Sequence, residues 1–579
     1  MPWMRWWPRS RAPRQQCSAR LSAPNGCAKP DILNEIGCPA DYRIMNRLYY
    51  GDNLTVLRGC IDAESVDLIY LDPPFNSQAT YNVLFKSTAG EKSRAQIGAF
   101  EDTWHWGEEA ELAFDGVISS GNSDAAEMLR ALRSFLREAD MMAYLSMMAV
   151  RLLELRRVLR PTGSLYLRCD PTASHYLKLL MDAIFGISNF QNEISWKRTT
   201  TKNDYRQGAI NWPRIRDVIL YYSKDRNTPP AFNQLFSIYS KEYVASHYSQ
   251  KDESGRSYQL DNLTAPGAGS RGHPVFEFTG VTRYWRYNKR KMEELLKEGR
   301  IIQPHPDAVP RYKRFLDEMP GIAIGDTWDD ISAINSQAQE RLGYPTQKPQ
   351  ALLERIVAAS SDGGDVVLDP FCGCGTAIHA AHKLHRQWIG IDITHLAISL
   401  IEKRLKDAFP GIRYEVHGTP KDVDGARDLA ARDKYQFQWW AVSLVNAVPF
   451  AGRKKGADSG IDGLIYFKPE GKVTEKAIVS VKGGENVNVV MVRDLAHVVD
   501  RENARIGVFI TLADSTGPMR TEAVKAGYYQ TLYGKYLKIQ ILTIRELFEG
   551  KQPNIPLVDA SAFKRAPKES QGDQGHLPL

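Results

Sequence analysis

The sequence lacks three features that would direct its interpretation toward particular classes of protein. It contains no run of about 20 apolar residues, which argues against a helix that spans a membrane. Its seven cysteines show no paired framework and no zinc-ligand spacing, which predicts a reducing, cytosolic compartment. The net charge of +7 is small for 579 residues, so it permits a polyanionic partner without requiring one. Local patterns must therefore indicate the function.

Three segments of the chain show no regular period. Residues 1–44 combine tryptophans with arginines and prolines, which predicts a disordered basic leader, with a nucleic-acid-binding arm as the alternative. Met45, directly before the first predicted strand, is an alternative start of the functional chain. Residues 419–433 are polar and charged, which predicts a linker, and residues 551–579 are predicted to form a disordered tail.

Between these segments, short apolar runs alternate with amphipathic stretches, which is typical of an α/β fold with a parallel sheet. The alternation covers residues 45–225 and returns over 341–418. The intervening segment, 226–340, is rich in Tyr, Arg, Lys, Gly and Pro and predicts an inserted recognition region. A smaller α/β pattern over 434–550 predicts a further domain. The strands expected to end near polar residues are 47–50, 66–71, 164–168, 365–369 and 387–392.

A glycine-rich turn follows the predicted strand 365–369. Its glycines allow the backbone to approach a ligand closely, and the helix after it points free N–H groups at that ligand. Asp392 ends the next strand, where a carboxylate can accept hydrogen bonds from ribose hydroxyls. The turn lacks the third glycine of a dinucleotide fingerprint, which favours a nucleoside cofactor without a pyrophosphate. The residues concerned are Asp369, Pro370, Phe371, Cys372, Gly373, Cys374, Gly375 and Thr376.

A second motif, Asp72-Pro73-Pro74-Phe75, follows the predicted strand 66–71. The prolines fix the backbone and leave its carbonyls free as acceptors. Asp72 and the Pro73 carbonyl can each accept one hydrogen of an exocyclic amine, while Phe75 can stack on a base that has flipped out of a duplex. This chemistry favours methylation of a base amine over an ordinary proline-rich turn.

These two motifs resemble those of the beta-class DNA amino-methyltransferases, which include the modification subunits of type III restriction systems. The resemblance covers residues 45–406 and implies a circularly permuted Rossmann-like sheet that uses S-adenosylmethionine on double-stranded DNA in the bacterial cytoplasm. In this family the segment Tyr344-Pro345-Thr346-Gln347-Lys348-Pro349 helps to enclose the cofactor. The resemblance therefore implies cofactor contacts from Thr346 and Lys348, and places Asp52 near the cofactor adenine.

The resemblance implies adenine N6 as the target, because Asp occupies position 72 where the cytosine-N4 enzymes more often have Ser. Three alternatives stay open at this point. The first is an N4-cytosine methyltransferase, the second is a DNA-binding or nuclease protein with an inactive methyltransferase half, and the third is an enzyme acting on RNA or a small molecule. A homodimer and a partner from a restriction system are equally compatible with the sequence.

Basic residues interleaved with aromatic ones predict contacts to DNA, because cations neutralise phosphates and an insertion can carry base readout. One cluster follows the predicted strand 192–196, and two lie within the insertion, at 283–291 and at Arg311, Lys313 and Arg314. The residues predicted to bind DNA are Lys197, Arg198, Arg283, Trp285 and Arg286.

In the C-terminal region, Asp462 and Lys482 lie at the ends of neighbouring predicted strands. The pair resembles the metal and lysine site of Mrr-like restriction endonucleases, in which Asp462 would bind Mg²⁺ and Lys482 would position water. Ser480 stands where that family usually has Glu or Gln, so one metal ligand is missing unless Asp458 replaces it. An active nuclease, a DNA-binding remnant and an unrelated core are the alternatives, and an active one would make a fused restriction-modification protein.

Overall fold

The structure is a computed structural model, and it describes 12 segments of the chain. The backbone alone is described for 79–86 and 92–102. The predicted leader lies outside the described residues. These residues are 46–74, 79–86, 92–102, 105–200, 212–265, 272–335, 338, 340–342, 347–450, 460–469, 473–532 and 534–556.

The first part of the chain alternates strands with helices, as the apolar pattern predicts. The strands are β1 (Arg47–Tyr50), β2 (Val66–Leu71), β3 (Ala79–Lys86), β4 (Lys92–Asp102), β5 (Leu159–Cys169), β6 (Phe190–Lys197) and β7 (Arg216–Ser223). The helices are α1 (Asn53–Cys60), α2 (Glu108–Ile118), α3 (Ser123–Leu136), α4 (Asp140–Val158) and α5 (Ser174–Phe185).

The inserted region consists mainly of short strands, and the α/β alternation then resumes. The insertion contains β8 (Phe236–Ser237), α6 (Lys241–His247), β9 (Gln250–Lys251), β10 (Ser257–Asn262), β11 (Val275–Phe278), β12 (Val281–Tyr284), α7 (Lys289–Lys297), β13 (Ile301–Ile302), β14 (Arg311–Phe315), β15 (Ile322–Ala323) and β16 (Thr327–Trp328). The second half contains α8 (Gln350–Ser360), β17 (Val366–Asp369), α9 (Thr376–Lys383), β18 (Gln387–Asp392), α10 (His395–Ala408) and β19 (Glu415–His417).

Both halves build one sheet of nine strands in the order β16-β6-β7-β5-β2-β17-β18-β1-β19. From β5 to β19 neighbouring strands are parallel, and β7 pairs antiparallel with β5 and β6. Strand β2 pairs with β17 although about 300 residues separate them in the chain, with Val367 opposite Leu68. The carboxyl ends of β2, β17, β18 and β1 therefore meet at one edge of the sheet, which confirms the permuted α/β prediction.

Apolar side chains cover both faces of this sheet. Helices α1 to α5 pack on one face, and α8, α9 and α10 pack on the other. All six residues of β2 are buried, which explains why its sequence is continuously apolar apart from Asp67. Asp67 is tolerated because it pairs with Arg160 and accepts a hydrogen bond from the Val366 N–H.

The insertion has its own small core around Trp285, which has no exposed surface. The indole N–H donates to the Phe276 carbonyl at 2.8 Å, and Phe276 and Phe278 pack around the ring. The insertion also contains a four-stranded sheet, β13-β14-β10-β9, and the hairpin β11-β12.

The C-terminal part forms a separate five-stranded sheet in the order β20-β21-β22-β23-β26. Its strands are β20 (Val448–Pro449), β21 (Gly463–Phe467), β22 (Glu475–Lys482), β23 (Ile506–Thr511), β24 (Tyr528–Thr531), β25 (Gly534–Leu537) and β26 (Ile539–Thr543). Its helices are α11 (Val423–Arg432), α12 (Lys434–Leu444), α13 (Val489–Arg501), α14 (Gly517–Lys525) and α15 (Ile544–Phe548). The core of this part extends to Tyr50 of β1, and α12 packs against α10.

Two predicted irregular segments are ordered instead. The expected linker 419–433 contains α11, because the Asp422 side chain caps the helix and Ala426 and Leu429 are buried in the C-terminal core. The predicted tail 551–579 begins with an ordered stretch, in which Asn554 exchanges two hydrogen bonds of 2.8 Å with the Gln540 side chain. Residues 557–579 lie outside the described residues.

Two further predictions concern the whole chain. In the part of the chain that the structure describes, no helix combines the length and apolar composition needed to cross a bilayer. Among the described cysteines, Cys169, Cys372 and Cys374 carry free thiols.

Candidate active site

A cavity of about 720 Å³ lies where the strand ends meet. Residues of both predicted motifs line it, so the sheet topology joins two parts of the sequence that are far apart. The lining residues predicted from the sequence are Asp52, Asp72, Pro73, Pro74, Lys348, Asp369, Pro370, Phe371, Gly373, Thr376 and Asp392. Phe75 and Thr346 lie outside the described residues.

The glycine-rich turn forms one wall of the cavity. Gly373 and Gly375 have φ values of 48° and 72°, which side chains other than glycine rarely adopt. A Cβ at Gly375 would approach Ile401 Cγ1 to 2.8 Å, so this position also has no room for a side chain. Helix α9 starts directly after it without a side-chain cap, which leaves N–H groups of its first turn for a ligand.

Two acids, the buried Asp369 and the partly buried Asp392, line the cavity at this wall without a cation paired to them in the described contacts. Burial raises the pKa of Asp369 to about 8, although the carboxylate accepts a hydrogen bond from the Phe371 N–H. Burial likewise raises the pKa of Asp392 to about 6, despite hydrogen bonds from Thr394 and from the Gly373 N–H at 2.9 Å. Raised carboxyl pKa values in a cleft indicate a site that gains from a cationic or hydrogen-bond-donating ligand.

Asp52 lines the cavity directly after β1. Its carboxylate caps α1 through the Thr55 N–H at 3.0 Å and pairs with Arg151 Nη2 at 2.7 Å. Arg151 also donates to the Asn53 side chain, whose amide donates to the Pro370 carbonyl at 2.8 Å. Arg151 and Asn53 thereby join the Asp52 corner to the glycine-rich turn.

Asp72 is the second member of a row of alternating charges that begins with Lys348. Arg168 Nη1 donates to one carboxylate oxygen at 2.6 Å, and Lys348 pairs with the other. Burial alone would raise the pKa of Asp72, but these two cations outweigh it and hold the pKa below its usual range. The row continues from Arg168 to Asp217, and from Asp217 to Arg198.

Of the predicted cofactor residues, Lys348 lies differently from the expectation. It lines the cavity, but its ammonium group contacts Asp72 of the catalytic motif. The side chain therefore joins the predicted cofactor segment to the residue that would hold the base amine.

The predicted DNA-binding residues separate into exposed and buried ones. Lys197 and Arg283 are exposed, and Arg286 is exposed while its Nε donates to the Thr264 carbonyl. Arg198 lines the cavity and pairs with Asp217 at 3.1 Å. The prediction that Trp285 contacts DNA is wrong, because its ring is the centre of the core of the insertion.

In the C-terminal sheet, antiparallel pairing of β21 and β22 brings Asp462 beside Ser480 and Val481. The Asp462 N–H donates to the Val479 carbonyl, and the Asp462 carboxylate accepts the Val481 N–H at 2.6 Å. Lys482 is the last residue of β22. Within the described residues, no three His, Cys, Asp or Glu side chains are grouped so that they could hold a metal ion. One carboxylate does not make a Mg²⁺ site, and Asp458 lies outside the described residues.

Sequence reasoning missed Arg151, Arg168 and Asp217, which line the cavity between the predicted motifs. A signal was present in each case, since each charged residue interrupts a segment that is otherwise apolar. Arg151 lies in the mostly buried helix α4, Arg168 in the buried end of β5, and Asp217 at the start of the buried strand β7. A charge in such a place needs a partner.

Comparison with protein families matches residues 66–403, more than half of the chain, to a family described as DNA methylase. The chain belongs to this DNA methylase family. The family includes enzymes that act on adenine N6 and on cytosine N4. S-adenosylmethionine is its methyl donor, and the cavity fits such a ligand because it combines a glycine cradle with two uncompensated acids. Residues 429–539 match a restriction endonuclease family of the Mrr type, so an endonuclease-like domain is fused to the methylase.

Curated relatives of this DNA methylase include type II methyltransferases and a subunit of a type III restriction-modification enzyme. This chain is 30% identical over 364 residues to the type II methyltransferase M.EcaI of Enterobacter cloacae, and the match covers 62% of this chain and 69% of that protein. It is 26% identical to the StyLTI Mod subunit of Salmonella typhimurium, a type III enzyme, covering 59% of this chain and half of that subunit. A solved protein assigned as a DNA modification methylase of Thermus thermophilus, complexed with S-adenosyl-L-methionine, is 18% identical, with a TM-score of 0.31, and the match covers 64% of this chain and 97% of that one.

Proposed function

We propose that this DNA methylase transfers the methyl group of S-adenosylmethionine to N6 of adenine in duplex DNA. The observation that carries the proposal is the pairing of β2 with β17, which places Asp72 and Asp369 in one cavity. A base inside a duplex cannot reach this cavity, so the target must flip out at a cost of a few kcal/mol.

The roles of the cavity residues follow from their charges and positions. Asp72 is ionised, so it accepts one hydrogen of the base amine, and the Pro73 carbonyl accepts the other. Both acceptors would stabilise the positive charge that develops on the amine nitrogen as it takes the methyl group, and the nitrogen would then release one proton through Asp72 while the donor sulfur leaves as a neutral thioether. S-adenosylmethionine supplies that methyl group on a cationic sulfur. The catalytic contribution of the protein is then positioning and electrostatic stabilisation.

The opposite wall is proposed to hold the cofactor. Asp369 would pair with a cationic group, Asp392 would accept from one ribose hydroxyl, and Asp52 would lie at the adenine end. Asp392 already accepts three hydrogen bonds from the protein, and a carboxylate has lone pairs for about one more. The first turn of α9, from Thr376, offers N–H groups to the same ligand.

Two observations favour adenine over cytosine. Position 72 carries Asp and not Ser. Among the relatives, the DNA adenine methyltransferase YhdJ of Escherichia coli is 43% identical over 81 residues, which cover 14% of this chain and 27% of that protein.

The deciding experiment is digestion to nucleosides of DNA methylated by the full chain, followed by mass spectrometry. We expect N6-methyladenine. N4-methylcytosine in its place would overturn the assignment of the base, and an absence of both in DNA of many sequences would overturn the methylase activity.

For the C-terminal domain we propose DNA binding without cleavage, because no three metal-ligating side chains are grouped among its described residues. Lys482→Ala should lower the affinity of the full chain for duplex DNA and reduce the salt slope by about 1. Lys476→Ala is the matched control, since Lys476 lies on the same strand but pairs with Glu502. Nicking of DNA that requires Mg²⁺ or Mn²⁺ and is lost in Asp462→Asn would overturn the proposal.

A further inference from the structure

A row of five charged side chains crosses the floor of the cavity, in the order Lys348, Asp72, Arg168, Asp217 and Arg198. The signs alternate from positive at one end to positive at the other. The five residues come from parts of the chain that are far apart in sequence, so the row exists only in the folded protein. We refer to these five residues as the charge row.

Asp217 has no exposed surface, and Arg168 is almost as deeply buried. A buried carboxylate is costly unless a cation compensates it, and Asp217 has two such partners, Arg168 and Arg198. The planar guanidinium of Arg168 reaches Asp217 with one nitrogen and Asp72 with another. Its carbon also lies 5.8 Å from the centre of the Trp196 ring, which restricts its orientation.

We propose that Arg168 and Asp217 are positioning residues for methyl transfer, and that the Arg168 fork, anchored on Asp217, holds the Asp72 carboxylate ionised and correctly oriented toward the base amine. The inference rests on the proposed role of Asp72. Arg168 and Asp217 act through Asp72, whereas Asp72 itself touches the amine.

The charge row has two consequences for Asp72. First, its acceptor geometry depends on Arg168, which leaves lone pairs of the same carboxylate for the amine. Second, its charge at acidic pH depends on the groups around it, which are Lys348 before α8, Arg168 on β5, Asp217 on β7, Tyr70 on β2 and Asp369 on β17. Loss of Arg168 removes one of two cations and leaves the nearby acids in place, so Asp72 becomes easier to protonate.

The test is the single-turnover rate of the full chain at saturating S-adenosylmethionine and DNA, measured from pH 5.5 to 8.5. Saturation with cofactor separates the chemical step from ionisations that affect cofactor binding. For the wild type we expect a single-turnover rate that stays constant toward the acidic end of this range. For Arg168→Gln we expect a rate that falls as the pH decreases within the range. Asp217→Asn keeps the shape of the side chain and should lower the rate about 10- to 100-fold at every pH, because Arg168 loses its anchor.

Arg160→Gln is a matched control. Arg160 lies on the same strand as Arg168 and pairs at 2.6 Å with a different buried acid, Asp67 on β2. Arg160 and Asp67 do not line the cavity. Arg160→Gln should lower the melting temperature without changing the pH profile. If Arg168→Gln does not fold, Arg168→Lys replaces it, because lysine keeps the charge but cannot reach both carboxylates as a fork. Arg168→Lys should lower the single-turnover rate at every pH, and the rate should not fall further as the pH decreases.

The outcomes separate the inference from the proposed function. Rates and pH profiles like those of the wild type in the Arg168 and Asp217 variants, together with an inactive Asp72→Asn, would overturn the inference alone. The same pH shift in Arg160→Gln would also overturn it, because the effect would then be structural. An active Asp72→Asn would overturn the proposed role of Asp72 as well.

Discussion

The methylase cleft and the Asp462 site both place an acid at a strand end, but the surroundings of the two acids differ. Asp72 lies between two cations in a cavity that also contains Asp369 and Asp392. The Asp462 carboxylate accepts a hydrogen bond from a backbone N–H of the neighbouring strand, and no group of three metal-ligating side chains occurs among the described residues. An acid at a strand end therefore indicates chemistry only when other charged groups converge on it.

The largest effect on activity should come from Asp72→Asn, which tests the methylase side of the comparison between Asp72 and Asp462. We expect methyl transfer to fall at least about 10²- to 10⁴-fold, because the amine loses an anionic acceptor. Cofactor affinity measured by calorimetry should stay close to that of the wild type. Asp62→Asn, at an exposed position before β2, is the control and should be fully active. A large loss of cofactor affinity in Asp72→Asn would contradict the separation of roles.

A smaller effect is expected from Asp392→Ala, which should weaken cofactor binding by about 1–3 kcal/mol as polar partners lose their acceptor. Asp392 also holds Gly373 and Thr394, so the melting temperature must be measured alongside the affinity. Unchanged affinity would remove Asp392 from the cofactor site.

The affinity for the cofactor should rise about fivefold between pH 7 and 8. The pKa of Asp369 is about 8 in the free protein, so the carboxyl is mostly neutral below that pH and must lose a proton to pair with a cation. Affinity should therefore rise with pH up to about 8 and then level off. Asp369→Asn should bind more weakly with a flat profile, and an unchanged slope in that variant would assign the ionisation to another group.

The smallest effect is expected at the C-terminal site. Asp462→Asn should cost about 0.5–1.5 kcal/mol of unfolding free energy, because a weaker acceptor faces the Val481 N–H. Methyl transfer should be unchanged. A loss of methylation comparable to that of Asp72→Asn would break the comparison, because it would place the C-terminal acid within the function of the cleft.

Much of the fold was predictable from the chain itself. The predicted strands 47–50, 66–71 and 387–392 coincide with β1, β2 and β18, because continuous apolar runs bounded by acids have few other interpretations. The prediction of a linker at 419–433 was wrong because the segment contains α11. The helix has only a short apolar stripe, and the packing of that stripe against the C-terminal core stabilises it. The prediction that Trp285 contacts DNA was wrong for a related reason. An aromatic residue among arginines gives the same sequence pattern whether its ring faces DNA or a small core.

The sequence by itself determined the two motifs, their order and hence the class of chemistry, because these depend on residues adjacent in the chain. Only the tertiary structure decided that β2 lies beside β17 and that Arg168, Asp217 and Lys348 surround Asp72. The Lys348–Asp72 contact joins residues 276 positions apart, and the pairing of β2 with β17 joins residues even farther apart. No local pattern encodes them, because the compensation of a buried charge depends on which strands the sheet places side by side.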